Sequence, residues 1–328
     1  MNIELHHRLS GRKLEKWHAL LKEAGLAPTE EPDVIALVFD EDRLIATGAR
    51  QDNVIKLIAV AADRQGEDLT SCVITALKGE ALAAGHRHLF IYTQPQNKFT
   101  FSSLFFYPIA ETKDVLLMED RRDGIASYLK SIPAPKAGGK VGAIVMNANP
   151  FTLGHQYLVE RASLQCDQVY VFVLSEDKSD FSALDRLNMV RLGTAHLPNV
   201  TVTETGPYMI SSATFPTYFL KDRDSAYEVQ CGLDIEIFCK IIAKKLSITH
   251  RFVGSEPFSA MTDKYNQSLA VHLPANGIEY VEIERKATDK TPISASYVRT
   301  LIKNKDLAAL GDLLPESTLN YLKNKELI

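Results

Sequence analysis

The chain has 328 residues, of which 45% are hydrophobic and 24% charged, with 17 glycines and 14 prolines. This composition is typical of a globular protein and excludes a collagen-like, coiled-coil or intrinsically disordered chain. The net charge of -4 provides no basic surface for nucleic acid or an acidic membrane, so we expect neither as a partner. At roughly 150 residues per domain, the length favours about two domains.

The cysteines and the N-terminus bear on the cellular compartment. No Cys-x-x-Cys pair occurs among Cys72, Cys166, Cys231 and Cys239, so we expect reduced core thiols rather than a zinc site or a disulfide framework, and no metal site. Residues 1–10 are charged and do not resemble a signal peptide, and no run of about 18 apolar residues occurs. We therefore expect a cytoplasmic protein.

A composition change over residues 130–140 divides the chain. Two prolines and two glycines within this stretch disfavour both helix and strand, so we expect one domain over residues 1–134 and a second over 135–328. The hydrophobic pattern predicts an α+β first domain. Its predicted elements are a helix over 14–24, strands over 34–39, 43–50 and 54–60, a helix over 69–84 and a strand over 89–93.

The second domain alternates short apolar runs with helical patterns. Short continuous strands between helices are typical of a parallel sheet with right-handed crossovers, so we predict a doubly wound α/β domain. Its predicted strands cover 141–146, 168–174, 200–203 and 251–253, and its predicted helices cover 155–163, 182–195 and 234–245.

The segment that follows the first of these strands predicts a phosphate site. The strand ends at Met146, a turn contains Asn147 and Asn149, and Gly154-His155 opens an amphipathic helix. The free N–H groups and the positive dipole at a helix start favour phosphate. Ligands of open parallel sheets also bind at the carboxyl ends of the strands.

The residues Thr152-Leu153-Gly154-His155 match the His-x-Gly-His signature of the adenylyltransferases, with Thr152 in the place of the first histidine. Attack on the α-phosphorus of ATP places negative charge on phosphate oxygens, and positioned donors stabilise that charge. Gly154 permits close approach of the backbone, and His155 and the Thr152 hydroxyl are both possible donors. A histidine that only caps the helix start is the structural alternative.

A second adenylyltransferase-like signature stands near the C-terminus. Residues 293–299, Ile-Ser-Ala-Ser-Tyr-Val-Arg, resemble Ile-Ser-Ser-Thr-x-Ile-Arg. We expect Ser294 to cap a helix whose start, together with Ser296, faces the β and γ phosphates, and Arg299 to fork onto phosphate oxygen. An ordinary helix cap with a solvated arginine is the alternative for this segment taken alone.

Two further segments supply candidate nucleotide contacts. A strand runs into a turn containing Gly254, Ser255 and Glu256, whose polar groups are suited to ribose or adenine edges. Lys178 and Arg186 follow the second strand of the domain and are expected to balance triphosphate charge. A structural turn and a solvated charge run are the respective alternatives.

Residues 146–155, 233–238, 248–257 and 293–299 together resemble the citrate lyase ligase family, which carries threonine at the first His position. The resemblance implies an AMP-forming ligase that activates acetate with ATP as acetyl-adenylate. It also implies transfer of the acetyl group to the phosphoribosyl-dephospho-coenzyme A thiol on the acyl carrier subunit of citrate lyase, with Mg²⁺ expected on the phosphates. Thr152, His155, Lys178 and Arg299 are then the expected catalytic residues.

Residues 34–110 resemble the GCN5-related acetyltransferase (GNAT) family. That family binds the pyrophosphate of coenzyme A with an Arg/Gln-x-x-Gly-x-Gly/Ala turn, whereas the corresponding turn here begins with Asp63 and ends with Asp68. Two carboxylates beside a pyrophosphate disfavour binding, although Arg64 and Gly66 remain. We expect this domain either to dock the carrier subunit or its coenzyme A-like arm, or to act as a scaffold.

Two other functions remain open from the sequence. One is an adenylyltransferase that joins AMP to a phosphorylated metabolite, against which the additional first domain argues. The other is a non-catalytic nucleotide-binding module, against which the two intact signatures around His155 and Arg299 argue.

Overall fold

A computed structural model describes most of the chain as two compact units. One unit contains Met1–Ala126 with the described residues between 215 and 233, and the other contains residues 127–209 and 234–328. The division at 126/127 lies eight residues before the expected boundary, which stays a prediction. The described residues are 1–28, 31–136, 138–176, 179–209, 215–220, 226–256, 259–288 and 291–328.

The first unit is built on a seven-stranded mixed sheet with the order β1-β2-β3-β4-β5-β7-β6. Every neighbouring pair is antiparallel except β4 and β5. The elements are β1 (Asn2–His6), α1 (Gly11–Glu23), β2 (Val34–Asp40), β3 (Arg43–Gln51), β4 (Val54–Val60), α2 (Leu69–Ala83), β5 (Phe90–Thr93), α3 (Lys98–Ser102), β6 (Tyr107–Glu111) and β7 (Leu116–Glu119). Helix α4 (Gly124–Ser131) begins in this unit and belongs to the second unit from Ser127.

Helix α2 packs closely on this sheet, and the core of the unit lies between the two. Val73 and Leu77 of α2 are fully buried and belong to one apolar cluster with residues of β2, β3 and β5. The approach is tight at Gly48 of β3, where an added Cβ would stand 2.5 Å from Val73 Cγ1. The predicted α+β class of the first domain is confirmed.

The second unit contains a five-stranded sheet with the order β10-β9-β8-β11-β12. All four strand pairs are parallel. The elements are β8 (Val141–Met146), α5 (Leu153–Ser163), β9 (Gln168–Val173), α6 (Ala183–Thr194), β10 (Val200–Glu204), α7 (Ala226–Ile237), β11 (His250–Gly254), α8 (Ala260–Ala275), β12 (Glu279–Ile283), a short pair β13 (Ala287–Thr288) and β14 (Thr291–Pro292), α9 (Ala295–Lys303) and α10 (Glu316–Asn324). Helix α7 begins in the first unit and belongs to the second unit from Asp234.

Helices cover both faces of this sheet. Phe252 of β11 is buried in the apolar cluster that contains residues of α5, α6, α9 and α10. Adjacent side chains of a strand point to opposite faces, and the guanidinium of neighbouring Arg251 lies 4.7 Å from the ring centre of Phe238, just after α7. The doubly wound parallel-sheet fold is therefore confirmed, and the change of direction in strand order falls between β8 and β11.

Several elements differ from their predicted limits. The edge strand β1 was not predicted because it is short, with Ile3 and Leu5 exposed, and β12 is only partly buried. The helix expected over 234–245 is described from Ala226, and its pattern changes to a π-helix over Phe238–Ala243. No helix in the described ranges is long and apolar enough to cross a membrane.

Candidate functional site

The loop between β8 and α5 lies at the carboxyl edge of the parallel sheet, beside the switch point. It contains Asn147, which follows β8, and Thr152, which is the N-cap of α5. This edge is where open α/β sheets bind ligands. The loops after β9 and β11 lie at the same edge, because both strands are parallel to β8. Helix α9 contacts the loop after β8 through Arg299.

Thr152 and His155 form a reciprocal capping box at the start of α5. The Thr152 hydroxyl oxygen accepts from the His155 backbone N–H at 3.3 Å. The Thr152 backbone N–H donates to His155 Nδ1 at 3.1 Å, and the Thr152 Oγ1 lies 2.9 Å from the same nitrogen. Nδ1 is therefore an acceptor, and the neutral ring carries its proton on Nε2.

His155 is held neutral by its surroundings. Burial and the nearby positive charge of Arg285 lower the pKa of His155 to about 4. The ring stacks on Phe151, with centroids 5.8 Å apart and planes 17° apart. Phe151 is fully buried and packs against Gly193 of α6, where an added Cβ would lie 2.7 Å from Phe151 Cδ1. The ring of His155 is thus fixed on one side by packing and on the other by the capping box.

Two of the backbone N–H groups in the first turn of α5, which the sequence predicts to be free, already donate hydrogen bonds within the protein. The Leu153 N–H donates to the Leu313 carbonyl at 2.9 Å, and the His155 N–H donates to Thr152. Among the described residues, nothing accepts a hydrogen bond from the Gly154 N–H. A Cβ on Gly154 would meet only ordinary contacts, 3.5 Å from Thr152 Oγ1 and 3.6 Å from Ile293 Cβ. Gly154 is consequently the backbone donor available to a ligand at this helix start.

Asn149 and Arg299 bring the two sequence signatures together. Arg299 Nη1 donates to the Asn149 carbonyl at 2.7 Å, and Arg299 Nη2 donates to Ser296 Oγ at 3.2 Å. Asn149 is buried and its side-chain oxygen accepts from the Phe181 N–H at 3.1 Å. The Arg299 side chain, separated from Asn149 by 150 positions in the chain, therefore lies at the loop after β8.

The start of α9 differs in one detail from the sequence prediction. Ser294 is the N-cap residue, but its side chain makes no capping hydrogen bond, so the expected capping by the Ser294 hydroxyl is wrong. Ser294 is partly buried and Ser296 is exposed. Contacts of either residue with phosphate stay predictions.

Arg186 links the loop after β8 to the loop after β9 through hydrogen bonds. Its side chain is fully buried. It donates to the carbonyls of Asn147 at 3.0 Å, Leu174 at 2.8 Å and Phe181 at 3.2 Å, and Nη1 also reaches the Asn147 side-chain oxygen at 2.6 Å. These bonds fasten the loop after β8 to the loop after β9. A direct contact between Arg186 and phosphate stays a prediction, and Lys178 lies outside the described residues.

Arg285, whose contribution to phosphate binding the sequence leaves open, organises the turn after β11. Its Nε donates to the Ser255 carbonyl at 2.6 Å, its backbone N–H donates to Ser255 Oγ at 3.1 Å, and Nη2 pairs with Glu256 at 2.5 Å. The Gly254 carbonyl accepts from Asn266 Nδ2 at 3.1 Å. Ser255 and Glu256 therefore hold Arg285 near His155, and their contacts with adenosine stay predictions. The position of Arg285 just after β12 was the signal available in the sequence.

The described residues contain no group of three His, Cys, Asp or Glu side chains that could hold a metal ion. The four cysteines are free thiols. Cys166, Cys231 and Cys239 are buried as expected, whereas Cys72 is exposed, so its expected place in the core is wrong.

The turn after β4 in the first unit is occupied by ion pairs. Arg64 pairs with Asp40 and with Glu67, each at 2.6 Å, and Arg43 makes a two-pronged contact with Asp63 at 2.7 Å. The side chains that would meet a pyrophosphate are thus already matched with carboxylates. This arrangement agrees with the unfavourable charge that Asp63 brings to the turn.

Comparison with known proteins identifies the family. Residues 141–322 match the model of the citrate lyase ligase C-terminal domain, which is more than half of the chain. A [citrate [pro-3S]-lyase] ligase of Escherichia coli (strain K12) is 39% identical over 324 residues, covering 97% of this chain and 92% of that protein. The chain belongs to the citrate lyase ligase family.

Two other similarities accompany this membership of the citrate lyase ligase family. A phosphopantetheine adenylyltransferase of Streptococcus equi subsp. zooepidemicus (strain MGCS10565) is 26% identical over 187 residues, covering 56% of this chain and 93% of that protein. Among solved structures, an acyl-CoA N-acyltransferase from Pseudomonas aeruginosa is 13% identical and covers 37% of this chain and 100% of that chain, with a TM-score of 0.33.

Proposed function

We propose that this chain activates acetate with ATP and acetylates the thiol of the phosphoribosyl-dephospho-coenzyme A group on the acyl carrier subunit of citrate lyase. Membership of the citrate lyase ligase family supports the reaction. The observation that carries the assignment to the second unit is the meeting of Thr152, His155 and Arg299 at one sheet edge. We propose that the protein is cytoplasmic, because the proposed reaction uses ATP and ATP is available in the cytoplasm.

The first proposed step forms acetyl-adenylate. An acetate oxygen attacks the α-phosphorus of ATP, the bond from that phosphorus to the bridging oxygen breaks, and pyrophosphate leaves. We propose that His155 Nε2–H and the Gly154 N–H donate to α-phosphate oxygens as charge develops there. Because the imidazole is neutral, it acts as a donor and not as a source of positive charge.

The negative charge of the β and γ phosphates is neutralised, in this proposal, by the start of α9 and by cations. We propose that Arg299 contacts the β or γ phosphate and that the N–H groups of the first turn of α9 face the same oxygens. Lys178, Ser294 and Ser296 are proposed neighbours of the phosphates, and Gly254, Ser255 and Glu256 of the adenosine. Mg²⁺ bound with ATP would supply further charge neutralisation.

The second proposed step transfers the acetyl group. The carrier thiol gives up its proton and attacks the carbonyl carbon of acetyl-adenylate, the bond from that carbon to the phosphate oxygen breaks, and AMP leaves. We propose that the first domain, residues 1–134, docks the carrier subunit or its arm, and that the ligase domain is residues 135–328. A scaffold role for the first domain is the alternative.

An AMP-release assay tests this function. The protein is incubated with ATP, Mg²⁺ and acetate, with and without deacetylated citrate lyase, and AMP and pyrophosphate are measured. The proposed function predicts stoichiometric or catalytic AMP release that requires both acetate and the deacetylated lyase. The similarity to phosphopantetheine adenylyltransferase suggests 4′-phosphopantetheine as the substrate for testing the adenylyltransferase alternative. Release of pyrophosphate with this substrate in place of acetate would favour that alternative. Inactivity with all of these substrates would favour the non-catalytic alternative.

A further inference from the structure

One carboxylate at the site is shared by two cations of α9. Asp180 Oδ2 lies 3.0 Å from Arg299 Nε, and Asp180 Oδ1 lies 3.2 Å from Lys303 Nζ. The Asn149 side-chain amide donates to Oδ2 at 3.4 Å. Oδ2 of Asp180 thus accepts from α9 and from the loop after β8, and Oδ1 accepts from α9.

The spacing on α9 explains why the two cations act together. Arg299 and Lys303 are four residues apart and therefore lie on one face of the helix. Arg299 is tied to the Asn149 carbonyl, so this face is turned towards the loop that precedes His155. The pKa of Asp180 is lowered, first by its hydrogen bond with Lys303 and also by the charges of Lys303 and Arg299.

The arrangement has the form of a phosphate contact in which a carboxylate stands in place of the phosphate. A carboxylate and a phosphate both present two oxygens to a guanidinium and an ammonium group. Arg299 is the residue that the proposed function assigns to the triphosphate, and it cannot direct the same Nε–H to Asp180 and to a phosphate oxygen at full strength. A phosphate oxygen that binds this Nε–H therefore displaces Asp180 from it.

We propose that Lys303 is a second phosphate-binding cation of this site, and that Asp180 occupies the place of a phosphate oxygen on Arg299 and Lys303 until ATP replaces it. This inference rests on the proposed function, because it uses the same nucleotide site. Asp180 then sets the affinity for ATP by competition: it keeps the two cations in position and repels the incoming triphosphate.

A surface ion pair without a role is the alternative. The Lys303 side chain is 71% exposed, and exposed ion pairs contribute little to folding stability. The two readings differ in what they predict for ATP binding, because a plain ion pair leaves ATP affinity unchanged when either partner is neutralised.

Calorimetric titration with MgATP separates them in four proteins: the wild type, Lys303→Met, Asp180→Asn and the control Lys323→Met, which neutralises an exposed lysine in the last turn of α10. We expect Lys303→Met to weaken ATP binding roughly 3- to 20-fold, an effect that shrinks with added salt. We expect Asp180→Asn to tighten it roughly 2- to 10-fold, and Lys323→Met to match the wild type. Thermal melting confirms that each variant is folded.

Each outcome decides the inference. Unchanged affinity in Lys303→Met, an equal loss in Lys323→Met, or weaker ATP binding in Asp180→Asn would overturn it. A wild type that binds ATP but forms no AMP from acetate would overturn the proposed function. The ATP affinities of the variants relative to the wild type would still test this inference. A wild type that fails to bind ATP would overturn both.

Discussion

The Thr152 backbone N–H donates to His155 Nδ1 across 3.1 Å, and this single bond decides the tautomer of the histidine. A backbone N–H cannot turn its proton away as a hydroxyl can, so Nδ1 is obliged to accept. The remaining ring nitrogen then carries the proton and acts as a donor. The threonine side chain adds its own contacts, because Oγ1 lies 2.9 Å from Nδ1 and accepts from the His155 N–H.

Replacing His155 removes the proposed donor to the α-phosphate. We expect His155→Ala to lower the rate of acetyl-adenylate formation roughly 10²- to 10³-fold, the usual cost of losing one transition-state donor. The affinity for ATP should change much less, because the donor acts on charge that develops during reaction. Single-turnover pyrophosphate release measures the rate, and near-normal turnover by a folded variant would make His155 structural only.

The pH dependence follows from the lowered pKa of His155, about 4 against an ordinary 6.5. Between these values the unfolded chain binds a proton that the folded chain does not, so the contribution of His155 to stability is complete above pH 6.5 and is lost as the pH falls towards 4. We expect kcat/KM for adenylation to show no inflection near pH 6.5 from His155. Profiles of the wild type and of His155→Gln from about pH 5 to about pH 8 check this; an inflection near 6.5 present only in the wild type would contradict it.

The capping box gives a matched pair of variants at Thr152. Thr152→Val keeps the shape but loses the hydroxyl that accepts from the His155 N–H, and we expect a loss of about 1 kcal/mol in the free energy of unfolding. The adenylation rate should fall as well, because His155 is less firmly oriented. Thr152→Ser retains the hydroxyl and should stay close to wild type in both denaturant unfolding and turnover. Equal behaviour of the valine and serine variants would show that the hydroxyl has no such role.

Packing behind His155 is tested at Gly193. A Cβ there would stand 2.7 Å from Cδ1 of buried Phe151, on which His155 stacks. We expect Gly193→Ala to cost about 1 to 3 kcal/mol of stability by overpacking and to lower the adenylation rate by moving the stacked ring. Gly79→Ala, also in a helix but with nothing within 4 Å of the added Cβ, is the control and should be neutral or stabilising. Wild-type stability and rate in Gly193→Ala, or an equal loss in Gly79→Ala, would refute this account.

The sequence allowed the sheet class and the convergence of the two signatures to be predicted, because both depend on local pattern. Apolar runs followed by helices specify parallel strands, and the carboxyl ends of such strands share one edge. Asn149 and Arg299 meet for this reason although 150 positions separate them.

The pairing of individual charges could not be predicted in the same way. Arg186 and Arg299 are alike in sequence, yet one is fully buried among backbone carbonyls and the other is partly exposed beside Asp180. Burial depends on packing between elements far apart in the chain. For the same reason the partners of Arg285 could not be predicted, because its bonds to Ser255 and Glu256 cross 30 and 29 positions.

The central claim, that acetate is activated as acetyl-adenylate, is tested most directly with acetate carrying ¹⁸O in its carboxylate. The ligase is supplied with this acetate, MgATP and deacetylated citrate lyase, and the AMP and pyrophosphate are examined by mass spectrometry. Attack of an acetate oxygen on the α-phosphorus, followed by thiol attack on the carbonyl carbon, predicts one ¹⁸O in each AMP formed and none in pyrophosphate. AMP without label, or label in inorganic phosphate with ADP as the nucleotide product, would contradict the account.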